Sequence, residues 1–122
     1  MTKPQVEQYL ADKNQDAVPV FMAFRDAALA AGDGVTEKVS RTMVAWKSTR
    51  TFATAYVKGK YLECSIDLLR EVRHQHLKAA FATTKTVITH RFTLEPDEDV
   101  DADMRSWLSE AFRDVGPGAR RT

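Results

Sequence analysis

The sequence predicts an α+β domain: two N-terminal helices, an antiparallel β-sheet of four to five strands, and a C-terminal amphipathic helix packed on one face of that sheet. Three observations carry this reading. Apolar residues recur at three-to-four spacing up to about residue 31 and again after residue 99. Between residues 35 and 68, and again over 86–94, they alternate instead. Turn-forming stretches, "GDG" at 32–34, "STR" at 48–50 and "KGK" at 58–60, punctuate the segments.

Thr2 is placed to cap a short first helix, Pro4 falls in its first turn, and Val6, Tyr9 and Leu10 share one side of it. "KNQD" interrupts, and Asp16 is then the expected cap of a longer helix. Its apolar face is read as Val18, Phe21, Met22, Arg25, Ala28 and Leu29, with Pro19 early enough to be tolerated. Strands are expected at about 36–47, 51–58, 61–68 and 86–94. In the third, Leu62, Cys64, Ile66 and Leu68 face one way while Tyr61, Glu63, Ser65 and Asp67 face the other. Residues 69–85 lack a firm period and read as a loop. The last helix runs over 100–115, capped by Asp99 or Asp101, with a stripe of Val100, Met104, Trp107, Leu108, Ala111, Phe112 and Val115, and it ends at Gly116 and Pro117.

A chain of 122 residues with 43% apolar content fits one domain, with an ordered core over about 4–116 and a basic tail over 117–122. Eighteen basic side chains against seventeen acidic ones, a net charge of +1, give no overall attraction to nucleic acid or to an anionic membrane, so any charged site must be local. One cysteine, Cys64, excludes an intrachain disulfide framework and suits a reducing cytoplasm. No window resembles a leader or a membrane span, so the expected setting is cytoplasmic, with no membrane partner.

"THRFTLEPDEDVDADMRSWLSEAF", residues 89–112, resembles the end of a bacterial family of domains of unknown function, numbered 5655. Members finish with a strand, an acidic spacer and a Trp-Leu-x-x-Ala-aromatic helix. Phe52 in "TRTFATAYV" and the alternation of "YLECSIDL" resemble the family's preceding strands, and either Met43 or Trp46 matches an aromatic of its first strand. The resemblance spans about 16–115. It implies no established activity. Relatives are sometimes labelled "predicted transport protein" and are sometimes joined to nuclease-like domains. Without a membrane segment, the transport label finds no support in these residues.

No catalytic constellation emerges. Glu71, His74 and His76, with Cys64 and His90 elsewhere, are the only clustered metal-ligand types, and a basic loop with exposed histidines explains them without a metal. His90 is in phase with Ile88, Phe92 and Leu94 and reads as a hydrogen-bonded core residue. Glu95, Asp97, Glu98, Asp99 and Asp101 stand where acids favour a helix start. "GDGVTEK" precedes a strand, whereas phosphate-cradling loops feed a helix. No metal site and no cofactor are therefore expected.

Basic and aromatic residues supply the remaining signal. Arg41, Trp46, Lys47, Arg50, Lys58, Lys60, Tyr61, Arg73, His74, Lys85 and Arg91 are the candidate contacts for nucleic acid or a small anionic ligand. The leading expectation is a non-enzymatic binding or accessory module acting through a basic sheet and loop surface. The second is a small-ligand protein with a pocket between the sheet and the 69–85 loop, and a metal-dependent hydrolase ranks last. An uncovered apolar face would also suit a homodimer. The 51–68 hairpin has two readings. A two-residue turn at Lys58-Gly59 turns Phe52 outward with Tyr56 and Tyr61. A three-residue loop, Val57-Lys58-Gly59, turns Phe52 into the core, and the sequence favours this one.

Overall fold

The computed structural model describes residues 5–118; Thr2, Pro4 and the tail past Gly118 lie outside the described residues. The chain runs α1 (Gln5–Leu10), a 3₁₀ turn (Gln15–Ala17), α2 (Val18–Leu29), β1 (Thr36–Val39), β2 (Val44–Lys47), β3 (Thr51–Lys58), β4 (Tyr61–Leu68), β5 (Leu77–Ala82), β6 (Ile88–Leu94), a second 3₁₀ turn (Asp97–Asp99) and α3 (Ala102–Asp114). The six strands form one antiparallel sheet in the order β1-β2-β3-β4-β6-β5. Helices α2 and α3 pack against its central strands.

Cross-strand registers sort the side chains into rows, because residues directly opposite each other share a face. One set is apolar. Val39, Val44, Ala55, Cys64, Phe92 and Leu77 form one row; Glu37, Trp46, Ala53, Ile66, His90 and Ala80 form the next. With Val20, Phe21 and Phe24 of α2 and Met104, Trp107, Leu108 and Ala111 of α3, these rows make the core. Tyr9, Phe21, Trp46 and Phe24 form a chain of tilted ring contacts, with centroids 5.6–6.3 Å apart.

Several expectations need correction. The sheet has six strands, because the predicted 36–47 strand breaks at Ser40–Met43 into a hairpin and the 69–85 segment contains β5. β5 escaped notice because it is an edge strand, exposed along most of its length, so its side chains need no strict alternation. Asp16 does not cap α2, whose N-cap is Ala17 without a side-chain bond; Asn14 caps the preceding 3₁₀ turn, accepting from the Asp16 N–H at 2.8 Å. The buried face of α2 is rotated to Val20, Phe21, Phe24 and Ala28, leaving Arg25 at the rim.

The β3–β4 hairpin follows neither expected register. Lys58 pairs with Tyr61 and Ala55 with Cys64, so the two-residue turn is Gly59-Lys60. Gly59 has φ of 59° in its first position, as a type II′ turn requires. This register would turn Phe52 to the outer face. A bulge prevents that: Trp46 opposes Ala53 but Lys47 opposes Thr51, so Phe52 is the extra residue and swings inward. Its ring is fully buried, edge-on to Phe112 at 5.8 Å. The favoured outcome for Phe52 was right and its favoured cause was wrong.

Two further ties hold the layers together. The carbonyl of Gly116, just past α3, accepts from the Thr49 and Arg50 N–H groups at 2.9 and 2.8 Å, stitching the helix end to the β2–β3 turn. The Tyr9 hydroxyl accepts from the Val57 N–H at 2.9 Å, past the point where β2 stops pairing with β3.

Candidate binding surface on the uncovered sheet face

On the other side of the sheet, the registers assemble polar rows. Lys38, Ala45, Thr54, Ser65, Arg91 and Ala79 cross all six strands in one line. Tyr56, Glu63 and Thr93 make a second row, Asp67, Thr89 and Phe81 a third, and Thr36, Lys47 and Thr51 a fourth near the β1 edge. Lys58 and Tyr61 close the hairpin end. Among the described residues no helix packs on this face.

Hydroxyls and charges tie the face together. Thr54 and Ser65 share a hydrogen bond of 2.6 Å. Arg91 donates to the Tyr56 hydroxyl at 3.4 Å. Thr93 donates to Glu63 Oε2 at 3.0 Å, and Lys78 Nζ lies 3.7 Å from the same oxygen. Glu63 is only 4% exposed, and its Oε1 has no hydrogen-bond partner among the described residues. Thr89 donates to Asp67 at 2.8 Å, with Arg50 3.7 Å away. Burial pushes the Asp67 carboxyl above the ordinary aspartate value, and the Thr89 hydroxyl and the Arg50 charge only partly offset it.

The predicted contact residues divide. Lys47 and Arg91 lie on the uncovered face, with Lys58 and Tyr61 at its hairpin end and Tyr61 40% exposed. Arg41, Arg73 and Lys85 are exposed in three separate loops, outside the strands that carry these rows. Arg50 is engaged with Asp67, and Lys60 lies 3.7 Å from Glu95. Trp46 is no contact residue: it has no exposed surface, and its indole N–H donates to Glu37 at 3.0 Å, a carboxylate that also receives a bidentate Arg25. Trp46 shares the inward phase of Val44, which the undivided 36–47 strand concealed. Lys38 was missed as a member of the surface, and Lys78, one of the basic residues of the segment read as a loop, joins it from β5.

His74 is also removed from the surface. Its side chain is 4% exposed, packed edge-on to Phe92 and Trp107. Nδ1 accepts from the His76 N–H at 3.0 Å, so Nε2–H donates to Asp101 at 2.8 Å. His76 pairs with Asp99 at 3.1 Å. Asp101 is the cap of α3, accepting from the Met104 N–H at 3.0 Å. Burial works to raise its carboxyl, but the bonds from His74 and Met104 outweigh burial and hold it below the ordinary value. Among the described residues no three histidine, cysteine, aspartate or glutamate side chains gather in a metal-binding arrangement.

His90 is the structural histidine its phase suggested. The Val72 N–H donates to Nε2 at 3.0 Å, which leaves Nδ1–H to donate toward the Ile66 carbonyl at 3.4 Å. Burial first, and then the charge of Glu63, push the Cys64 thiol well above its usual range, which favours the protonated thiol. Much of the 69–85 segment is not a loop, since β5 is part of the sheet and Val72 is tied to His90; a concavity of about 330 Å³ is lined by Leu69, Thr84, Thr86 and Val87 together with Arg50 and the end of α3. No helix is long and apolar enough to cross a membrane among the described residues.

The model of a domain of unknown function, DUF5655, matches residues 6–115. The chain belongs to this family. The match takes in every strand, α2 and α3, so the DUF5655 unit includes both the helical layer and the uncovered face. No curated protein and no solved structure matches the chain.

Proposed function

We propose that this DUF5655 domain is a non-enzymatic binding module whose contact surface is the uncovered face of its sheet, suited to an extended anionic chain such as single-stranded nucleic acid. One observation carries the reading: a six-stranded sheet buries one face under helices and leaves the other bare, with Lys38, Lys47, Lys58, Lys78 and Arg91 on it against Glu63 and Asp67. Lys38, Lys47, Lys58 and Arg91 have no carboxylate partner among the described residues, which leaves them available to phosphates. Tyr56 and Tyr61 lie among them as surfaces on which bases can stack. Thr54, Ser65 and Thr93 add hydroxyls of the kind that position a sugar-phosphate backbone.

The test is fluorescence anisotropy with a short pyrimidine oligonucleotide across a salt series. Contacts to three or four phosphates of a single strand predict a slope of log affinity against log salt of about −2 to −3. Lys47→Ala should lower its magnitude by about 0.7, the share of one phosphate, while the same substitution at Arg73, in a loop outside the strands that carry the rows, should leave it unchanged. No binding at low salt, or equal effects of the two substitutions, would overturn the reading.

A further inference from the structure

The two edges of the sheet are built differently. β1, at one edge, is four residues long, carries Glu37 and Lys38, and contacts α1. β5, at the other, is six residues long, LKAAFA, and among the described residues no element lies beyond it. Natural edges are blunted by charges, prolines, bulges or covering elements, because their unpaired N–H and C=O groups invite another strand. β5 carries no proline. Its one charge, Lys78, reaches back over the sheet to Glu63, and its one bulge, between Leu77 and Ala79, leaves Ala79–Ala82 in regular pairing with β6.

The direction of the unpaired groups follows from the ladder. Thr83 donates to the Val87 carbonyl at 2.9 Å, so Thr83, Phe81 and Ala79 turn their backbone groups toward β6. The N–H and C=O groups of Ala80 and Ala82 therefore point outward, with no partner among the described residues. Phe81, opposite Thr89 on the uncovered face, is 46% exposed, an unusual state for a phenyl ring.

We infer that β5 is a self-association edge, pairing antiparallel with β5 of a second copy of this chain about a twofold axis at Phe81. This register sets Ala80 of one copy opposite Ala82 of the other, twice, so four backbone hydrogen bonds form without the bulged residue. It brings the two Phe81 rings together on the axis as a non-hydrogen-bonded cross-strand pair, the closer kind. Lys78 falls opposite Thr84, so no like charges meet. A second copy satisfies every element of the edge at once, which an unrelated strand would match only in its backbone. The axis stands normal to the sheet, so the helical layers fall on one side and the two uncovered faces become continuous on the other. The contact is smaller than a standard interface, so the dimer is weak.

Sedimentation velocity across a concentration series reads the association, and disulfide trapping reads the register. The wild-type chain should pass from monomer to dimer below about 1 mM, and Phe81→Lys, which sets two ammonium groups face to face on the axis, should raise the dissociation constant about tenfold. Both sites are exposed, so the variants keep the fold, checked by their denaturation midpoints. On oxidation Phe81→Cys should crosslink, because its two Cα atoms would lie about 4.5 Å apart, within disulfide reach. Ala79→Cys, offset from its own copy, should not. A chain that stays monomeric to about 1 mM, a Phe81→Lys variant that associates like wild type, or equal crosslinking at the two positions would overturn the proposal. None of these readouts involves an anionic ligand, so they stand apart from the test of the binding surface.

Discussion

The two faces of the sheet are written on the same strands in alternate residues, yet they solve different problems. The helix-covered face is largely apolar, and its two polar members are satisfied: Glu37 by Arg25 and the Trp46 indole, and His90 by backbone groups at both ring nitrogens. The uncovered face is ordered without any covering layer, because its side chains bind each other: Thr54 to Ser65, Arg91 to Tyr56, Thr93 and Lys78 to Glu63, Thr89 to Asp67. The difference teaches that stability resides in one phase of the alternation and contact chemistry in the other. Substitutions should therefore separate cleanly by phase.

The largest effect belongs to Trp46. Trp46→Ala empties a fully buried site at the meeting of α2 and the sheet and should cost about 3–5 kcal/mol in chemical denaturation. A near-unchanged midpoint would break the assignment of this face to stability. His90→Leu comes next, since it keeps an apolar shape but leaves the Val72 N–H without its acceptor, a loss of about 1–3 kcal/mol. Asp101→Ala removes the α3 cap and should cost about 1 kcal/mol at neutral pH. Because the folded state holds the Asp101 carboxyl below its unfolded value, its contribution is present above pH 3.8 and is lost as pH falls through the lower folded value. Wild type and Asp101→Ala should thus converge in strong acid.

Asp67, on the uncovered face, should show the opposite sign. Its folded value is raised, so ionised Asp67 disfavours folding at neutral pH, and that cost is relieved as pH falls through the folded value toward 3.8. Asp67→Asn should flatten this rise on the acid side of a stability-against-pH curve; an unaltered curve would show that Asp67 is not under strain from burial. The smallest stability effect is expected at Lys47, where Lys47→Ala should stay within about 0.5 kcal/mol of wild type.

Legibility followed the same division. α3 and its cap could be read because a broad apolar stripe, an aspartate and a terminal glycine all agreed, and β4 because its alternation is unbroken. β5 could not, since an edge strand open to solvent places no demand on its side chains. Phe52 illustrates the limit of periodicity: one bulged residue inverted its face, and a bulge leaves no trace in an alternating pattern. The cations Lys47 and Arg91 could be selected by type and phase. Lys38 became visible only through the register that aligns β1 with the central strands, and Lys78 took its place on the face only once β5 proved to be a strand. His74 misled because its neighbours in sequence are polar, while its ring contacts, Phe92 and Trp107, come from β6 and α3.

The central claim, that the uncovered face is the contact surface, is tested most directly by titrating isotope-labelled protein with a short pyrimidine oligonucleotide at low salt and following each backbone amide by NMR. The account predicts shifts concentrated along the Lys38-to-Ala79 row and at Lys47, Tyr56, Tyr61 and Thr93, fading as salt is raised. Shifts confined to α2 and α3, or none anywhere, would contradict it.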